Sequence, residues 1–355
     1  MSTMKHEVQT GLDTLCYYHP LSPKQKRRIL ERLQRLAEFR TIADNYVDDT
    51  YKYGCEYFAS SGVKLYVFRE KGSVWGLFIV VHPTLVLGDD NRSALYCPTK
   101  SSYKKIVKTV DKMLAPVKLP CSLDDMKLYR PDVTANLIFD DAELVDAYIR
   151  ILKKSKILPH YKPDRFREKE KKAKDCKLAN RHSYKQYCGS AAFFAYDKTA
   201  QLEMIDCFSD TLIGKTVLRL EAQLRRKSLK KWVSGKKLGS NWEIIRDVYK
   251  NREKIINWYL DRIQPSCTQY LRYEDAVRMI KDTKMKSKTR ERMLYLLHKA
   301  SDTKSLTAAE KDLKSKYHLT SSQCKSVLKR FRELEISPIT LRNDSNFECL
   351  PHISL

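Results

Sequence analysis

Apolar and polar residues alternate in several stretches of the first two thirds of the chain, which is the pattern of half-buried β-strands. Residues 11–19 predict a first strand, and residues 63–69 and 74–81 predict a hairpin with its turn at 70–73. Between the strands, apolar side chains recur at helical spacing. This second period predicts helices that begin at Ser22–Pro23, cover residues 101–115, and follow Asp140–Asp141 through about Lys154.

Three further predicted strands each place polar side chains on one face and apolar side chains on the other. An antiparallel sheet often shows water a polar face, so alternation alone does not indicate a site. Here, however, the faces carry carboxylates, a tyrosine and cations, with few of the Thr, Lys and Glu residues that usually fill a solvated face. The polar-face residues are Asp132, Thr134 and Asn136 on the first strand, Phe194, Tyr196 and Lys198 on the second, and Arg219, Glu221 and Gln223 on the third.

From about residue 228 the pattern is helical almost to the end of the chain. The sequence therefore predicts an α+β fold, with a curved, mostly antiparallel sheet flanked by helices and a helical C-terminal region. Gln264 and Pro265 interrupt the helices, so we expect an α+β domain over residues 1–262 and a helical region over 263–355. No internal repeat stands out.

Charge is the feature of the composition that changes this interpretation. The 355 residues include 68 Lys and Arg against 43 Asp and Glu, a formal charge of +25. Such an excess favours a polyanionic partner, and nucleic acid is the first candidate. A solvated basic surface, a ribosome-associated protein and a protein of anionic membrane surfaces are the alternatives. A hydrophobic fraction of 42% excludes a disordered basic tail.

The ten cysteines are scattered, and no C-x-x-C spacing suggests a zinc site. No apolar run approaches eighteen residues, and the first residues lack the apolar block of a signal peptide. We therefore expect reduced thiols, a cytoplasmic location and no membrane partner.

The three polar faces suggest metal-assisted phosphodiester chemistry. Asp132 and Glu221 offer the hard oxygen ligands that Mg²⁺ or Mn²⁺ prefers. Such an ion would polarise a phosphodiester, and Tyr196 would attack it to form a phosphotyrosyl intermediate. Because a free tyrosine has a pKa near 10, the phenol needs a neighbouring cation or base, and either Lys198 or the metal ion would serve. Lys198 and Arg219 would steady the phosphate, and Arg130 is a further candidate for DNA contact.

Each of these candidates also has a plain structural interpretation. Tyr196 is one of 21 tyrosines and would serve equally as a packed residue of a sheet. On spacing alone, salt bridges from Asp132 and Glu221 to Arg130 and Arg219 are favoured over metal binding. The basic segment 161–185, with Arg181 and Lys185, is either a solvated connector or a surface that contacts DNA phosphates.

The C-terminal region contains a candidate helix-turn-helix. Ser305 begins one predicted helix, residues 317–320 form a turn, and a second helix covers 321–335. The second helix has an apolar stripe surrounded by basic residues, among them Lys325, Lys329 and Arg330. A recognition helix that enters the major groove would have this pattern, and so would a helical hairpin that packs on the core.

Taken in order, these motifs resemble those of the gene II/gene X replication proteins of filamentous phages and related rolling-circle initiators of phages and plasmids. The matching segments are Arg130-Pro131-Asp132, Phe194-Ala195-Tyr196-Asp197-Lys198 and Arg219-Leu220-Glu221, with a strand–Pro–loop–Gly segment over residues 79–88. The resemblance covers most of residues 10–345, although each motif is short. It implies that Tyr196 is the nicking nucleophile and becomes linked to a 5′ phosphate.

Two departures from rolling-circle nucleases concern the metal and one strand. The sequence has no His-hydrophobic-His triplet, and His82 is the one histidine at a predicted strand end in the right region, so we take it as a third metal candidate. Pro131 replaces an apolar strand residue, which predicts an edge strand or the first position of a strand.

The function that the resemblance implies is origin-specific nicking and strand transfer at the start of rolling-circle replication. The partners would be single-stranded or hairpin origin DNA, and a helicase and polymerase of a bacterial host, in whose cytoplasm the protein would act. A non-enzymatic repressor that uses the same basic surface is the main alternative, and a conjugative relaxase is another within the enzyme class.

Overall fold

The computed structural model of the chain describes residues 7–41, 51–69, 74–163, 181–205, 207, 212–233, 239–265, 269–303 and 305–355. Across these residues ten strands form one open sheet whose neighbouring strands are antiparallel. Helices pack on one face of this sheet and make up most of the C-terminal region. The predicted α+β fold class is confirmed.

The sheet has the order β2-β3-β4-β5-β1-β6-β10-β9-β8-β7, so the first strand of the chain lies in its interior. The hairpin predicted from residues 63–81 is present as β4 and β5, whereas its predicted turn at 70–73 lies outside the described residues. The strands are β1 Glu7–Leu21, β2 Phe39–Thr41, β3 Tyr51–Cys55, β4 Val63–Arg69, β5 Trp75–Val81, β6 Lys127–Phe139, β7 Lys162–Pro163, β8 Ser183–Cys188, β9 Ala191–Asp197 and β10 Thr216–Leu224.

Several helices begin where the sequence offers capping side chains. Ser22, Thr99 and Ser240 each form a reciprocal capping box, and Asp141 caps the helix predicted after Asp140. The helices are α1 Pro23–Leu33, α2 Pro83–Val86, α3 Lys100–Met113, α4 Ala142–Lys154, α5 Lys198–Glu203, α6 Arg226–Leu229, α7 Asn241–Lys250, α8 Arg252–Ile263, α9 Tyr273–Lys281, α10 Ser287–Asp302, α11 Leu306–Tyr317 and α12 Ser321–Glu333.

The apolar side chains of the alternating strands point towards the helices. Val133 and Leu220, from neighbouring central strands, are fully buried in one cluster with Ile106 of α3, Ile149 of α4 and Ile256 of α8. Burying apolar surface of this kind is the main source of stability, about 25 cal/mol for each Å² removed from water. The helix side of the sheet is thus the core, and the opposite face is left for polar and aromatic side chains.

Two halves of the sheet share one topology, although the sequence shows no repeat. In each half the first strand lies at the sheet centre, a helix follows, and four more strands run from the sheet edge back to the first. The first half is β1-α1-β2-β3-β4-β5, and the second is β6-α4-β7-β8-β9-β10. Because β1 and β6 are antiparallel neighbours, an approximate twofold axis lies between the halves. The interpretation that the chain has no internal repeat holds for its sequence and not for its topology.

Pro131 does not lie at a sheet edge or at the start of a strand, so that prediction is wrong. It is the fifth residue of β6, and it lies opposite Leu15 of β1. The ladder between β6 and β10 ends one residue away, at the pair of Asp132 and Gln223, so Pro131 has no partner in β10. A residue without a backbone N–H is tolerated here because the β10 side of β6 is already unpaired at this position.

The C-terminal helices also contain a two-stranded ladder, in which β11 Gln269–Leu271 pairs with β12 Cys349–Pro351. Several contacts tie this region to the sheet half of the chain. Tyr148 donates a hydrogen bond to the Pro351 carbonyl, and Lys156 forms an ion pair with Glu310. Apolar residues from both sides of residue 262 belong to one core cluster. The division into two domains at this residue stays a prediction.

Candidate functional site

The polar faces predicted from the three strands are adjacent on the open face of the sheet. β10 lies between β6 and β9, so that Glu221 is opposite both Thr134 and Phe194, and Arg219 is opposite both Asn136 and Tyr196. Lys198 is not the last residue of the strand, as predicted, but the first residue of α5. Asp197 ends the strand and caps this helix by accepting a hydrogen bond from Ala200 N–H.

Arg219 is the fully buried centre of this cluster. Its guanidinium donates to Asn136 Oδ1 at 2.9 Å, to the Ser93 carbonyl at 2.7 Å and to Asp13 Oδ1 at 2.7 Å. Burial lowers the Arg219 pKa, but Tyr196 and Asp13 outweigh this effect and raise it, so the charge is kept despite complete burial. The salt bridge expected between Arg219 and Glu221 is therefore replaced by one between Arg219 and Asp13.

Asp13 is a site residue that the sequence did not reveal. The register of β1 against β6 shifts between Leu12 and Thr14, so Asp13 lies at a β-bulge that directs it to the polar face. Burial would raise its carboxyl pKa, but Arg219 and other cations outweigh this effect and lower it. The sequence carries one sign of this bulge, because the apolar Leu12 and Leu15 are three residues apart and so break the strand period of two. In the structure both leucines are buried in the core.

A chain of polar contacts leads from Tyr196 to Arg130. The Tyr196 hydroxyl donates to Glu221 Oε2 at 3.3 Å, and Gln223 Nε2 donates to Glu221 Oε1 at 2.9 Å. The same amide lies 3.4 Å from Asp132 Oδ2. Arg130 then pairs with Asp132, with Nε 2.9 Å from Oδ1. The structural interpretation of Asp132 as the partner of Arg130 is confirmed.

Burial shifts the pKa of several groups in this chain. It raises the carboxyl pKa of Asp132 well above its usual value and also raises that of Glu221. Burial, reinforced by Glu221, raises the Tyr196 pKa well above 10. The tyrosine is thus protonated at neutral pH and would need a base to take its proton. Glu221 is the carboxylate in contact with that hydroxyl, and its raised pKa makes it a better base.

A cleft of about 570 Å³ opens beside Tyr196. Lys198, Arg92, His82 and Asp13 line it together with the tyrosine. Burial and the Arg219 charge lower the Lys198 pKa to about 8. This lysine is therefore mostly charged at neutral pH and able to release a proton only slightly above it. The cleft thus combines a phenol with cations that suit a phosphate group.

His82 lies across the cleft floor, beyond Thr14. Its Nδ1 is 3.4 Å from the Thr14 hydroxyl, and this hydroxyl donates its proton to Asp13 Oδ2 at 3.0 Å. Burial lowers the His82 pKa, so the imidazole is neutral near pH 7.

The predicted metal set of Asp132, Glu221 and His82 is not assembled in the structure. Among the described residues, no group of three or more His, Cys, Asp and Glu side chains is arranged to hold a metal ion. Arg130 pairs with Asp132, and Gln223 and Tyr196 donate hydrogen bonds to Glu221. The Thr14 hydroxyl contacts His82. These residues do not fit a cation site in this arrangement, and the requirement for Mg²⁺ or Mn²⁺ stays a prediction.

The other predicted DNA-binding residues lie in three places. Lys185 is on β8, opposite Phe194, and its ammonium lies 5.0 Å from the centre of that ring. Arg181 lies 3.6 Å from Asp146 of α4. Residues 164–180 of the basic segment lie outside the described residues.

The two helices predicted around residues 305–335 are present as α11 and α12. Val327 and Phe331 face the core, and Lys325 is exposed. Lys329 and Arg330 both lie near Glu333, at 3.9 and 2.5 Å. Groove recognition by this pair of helices stays a prediction.

No model of a known protein family matches this chain, and no curated protein matches it significantly in sequence. Within the part of the chain that the structure describes, no helix combines the length and apolarity needed to cross a bilayer.

Proposed function

We propose that the protein nicks and transfers single DNA strands with Tyr196 as the nucleophile, as a rolling-circle replication initiator does. One observation carries this proposal. The Tyr196 hydroxyl contacts the Glu221 carboxylate at the wall of a cleft that Lys198 and Arg92 also line. A nucleophile, its base and two phosphate-binding cations are thus side by side.

In the proposed reaction, Tyr196 Oη attacks the scissile phosphorus while its proton passes to Glu221. The P–O3′ bond breaks as the new O–P bond forms, and Lys198 donates a proton to the departing 3′ oxygen. The products are a 5′-phosphotyrosyl enzyme and a free 3′-OH. Attack by a 3′-OH on this intermediate reverses the steps and rejoins the strand. The 5′ linkage follows from the resemblance to gene II-type proteins.

Electrostatics support the same assignment. Arg92 and Lys198 would balance the charge that develops on the phosphate, and the net charge of +25 supplies sequence-independent attraction for DNA. The buried Arg219–Asp13 pair would hold the floor of the cleft in place. Origin DNA, a host helicase and a host polymerase in a bacterial cytoplasm are the partners that this proposal implies.

The test uses purified protein and end-labelled single-stranded DNA that carries candidate origin sequences, with and without Mn²⁺ or Mg²⁺. We expect a covalent protein–DNA adduct on a denaturing gel, and its loss in Tyr196→Phe. Tyr184→Phe is the matched control, because Tyr184 lies on the adjacent strand, opposite Ala195, and faces away from the cleft. An adduct that persists in Tyr196→Phe would refute the assignment of the nucleophile.

The two alternatives predict different results in the same assay. A repressor would bind the DNA in a salt-sensitive manner and form no adduct with any sequence or metal ion. A conjugative relaxase would form the adduct only with transfer-origin DNA. A protein that binds without an adduct across all candidate origins would therefore refute the enzymatic proposal.

A further inference from the structure

Five aromatic side chains form a second cluster on the open face of the sheet, which we call the aromatic platform. Phe68 and Phe78 are buried at its base, and their ring centres are 4.4 Å apart. Tyr18 and Tyr129 pack against Phe78 with ring centres 5.4 and 4.9 Å away, and Tyr66 packs beside them. The three tyrosines are only partly buried. This group is separate from the main core, which lies on the other face of the sheet.

Gly76 allows the platform rings to lie flat on the sheet. A Cβ atom at this position would meet the Tyr18 ring and would lie 2.8 Å from Phe68 Cε1. Gly76 pairs with Pro20 of β1 and with Phe68 of β4, so it lies directly under the platform. Because glycine has no side chain, other groups can approach the backbone of the strand closely at this position.

The platform is continuous with the candidate site. Tyr129 of the platform is followed by Arg130, which pairs with Asp132 and so joins the polar chain that ends at Tyr196. Tyr66 on β4 and Tyr196 on β9 are five strand spacings apart, which is about 24 Å across the strands at about 4.8 Å each. They are also offset along the strands, because Tyr66 is in register with Lys127 of β6 and Tyr196 with Asn136, and these nine residues add about 30 Å at about 3.3 Å each. That distance leaves room for several nucleotides of an extended strand.

The topology that the two halves share makes the platform equivalent in position to the candidate site. The hairpins β4–β5 and β9–β10 each hold seven residue pairs, from Val63–Val81 and from Ala191–Leu224. When these pairs are aligned in order, Phe68 corresponds to Tyr196, Tyr66 to Phe194 and Phe78 to Glu221. Gly76 likewise corresponds to Arg219. The first strand of each hairpin thus carries aromatic residues at these positions, whereas the second strand carries Phe78 and Gly76 in one half and the charged Glu221 and Arg219 in the other.

We propose that the aromatic platform binds the bases of single-stranded DNA that flank the phosphate held at Tyr196. This inference rests on the proposed function, because it assigns the DNA an approach path to the same site. Planar rings stack on bases of any sequence, and nearby cations hold the backbone. Lys127, opposite Tyr18, is exposed on the platform face, and Arg130 lies on the side towards the site. The platform would thus hold the bases of the strand whose phosphate lies at Tyr196.

The test separates base stacking from phosphate attraction. We would measure, by fluorescence anisotropy, the Kd of the full-length protein for oligo(dT) and for an abasic oligonucleotide with the same number of phosphates. The wild type should prefer the oligonucleotide with bases, and Tyr129→Leu and Tyr18→Leu should each reduce this preference about tenfold. The salt dependence of binding should not change, because no phosphate contact is removed.

Tyr53→Leu is the matched control. Tyr53 is also a partly buried tyrosine that packs with other rings, 6.0 Å from Phe39 and 6.2 Å from Trp75, but on the helix side of the same half. It should leave the preference for bases unchanged, and Tyr129→Phe should keep it. Unfolding curves for each variant show whether a loss of binding reflects a loss of structure.

Each outcome bears on a different claim. Equal affinity of the wild type for both oligonucleotides would overturn the platform while leaving adduct formation at Tyr196 intact. Loss of base preference in Tyr53→Leu as large as in Tyr129→Leu would also overturn it. If neither oligonucleotide binds, the proposed function fails and this inference fails with it.

Discussion

Replacing Arg219 by methionine tests the central structural claim about the site. The substitution keeps the length and much of the apolar stem, and it removes the guanidinium from a position with no solvent exposure. The Asn136 amide oxygen, the Ser93 carbonyl and the Asp13 carboxylate then lose a donor. Removing one partner of a buried ion pair costs about 3–5 kcal/mol of unfolding free energy, because the other charge stays buried.

Urea unfolding followed by tryptophan fluorescence measures this cost. The double variant Arg219→Met/Asp13→Asn should lose about 1–3 kcal/mol less than the sum of the two single changes, because both act on one interaction. Arg27→Met is the control, since Arg27 is 75% exposed and lies 3.7 Å from Glu31. An exposed pair of this kind contributes about 0–1 kcal/mol.

The pH dependence gives an independent check of the same pair. The Asp13 pKa is below its ordinary value of 3.8, so the ionised carboxyl stabilises the folded state above that pH. This contribution is lost as the pH falls through the lowered pKa. The difference in stability between the wild type and Arg219→Met should therefore narrow below about pH 4. A cost below 1 kcal/mol at pH 7, or a difference that stays constant into acid, would refute the reasoning.

Three further predictions concern single positions. Gly76→Ala should force the platform rings apart, cost about 1–3 kcal/mol and lower the melting temperature, and an unchanged melting temperature would contradict it. Because the Lys198 pKa is about 8, the rate of adduct formation should fall as the pH rises through that value. In Lys198→Arg this fall in rate at alkaline pH should disappear. The same fall in both proteins would exclude Lys198 as the acid. Asn241→Leu removes the hydrogen-bond partner of three backbone groups, at residues 124, 126 and 128. It should lower the free energy of unfolding in urea by about 3 kcal/mol, and a loss under 1 kcal/mol would show that these hydrogen bonds contribute little.

Much of the local structure could be predicted from the sequence because each strand has one apolar face. The strands around Asp132, Tyr196 and Glu221 were predicted with the correct polar faces, since alternation is a property of a single strand. The adjacency of these strands was a hypothesis that the structure bears out. Their order in the sheet depends on pairings between distant segments, which no local pattern encodes.

The errors arise where tertiary pairing overrides a local rule. Pro131 is accommodated inside a central strand because one neighbouring ladder ends beside it. Alternation does not predict Asp13 on the polar face, because a bulge shifts this residue out of the strand period. The chemistry of Asp132 and Glu221 alone predicts metal ligands, whereas their partners Arg130 and Gln223 depend on which side chains share a face.

The interior position of β1 also has a consequence for how the protein folds. Leu15 pairs with Val81 on one side and with Pro131 on the other, 66 and 116 residues later in the chain. Such long-range pairings require large loops to close before they return any stabilising contact, and they slow folding. During synthesis β1 has no strand partner until β5 and then β6 have left the ribosome. Docking of the earliest strand between its two late partners is therefore expected to limit the rate at which the sheet forms.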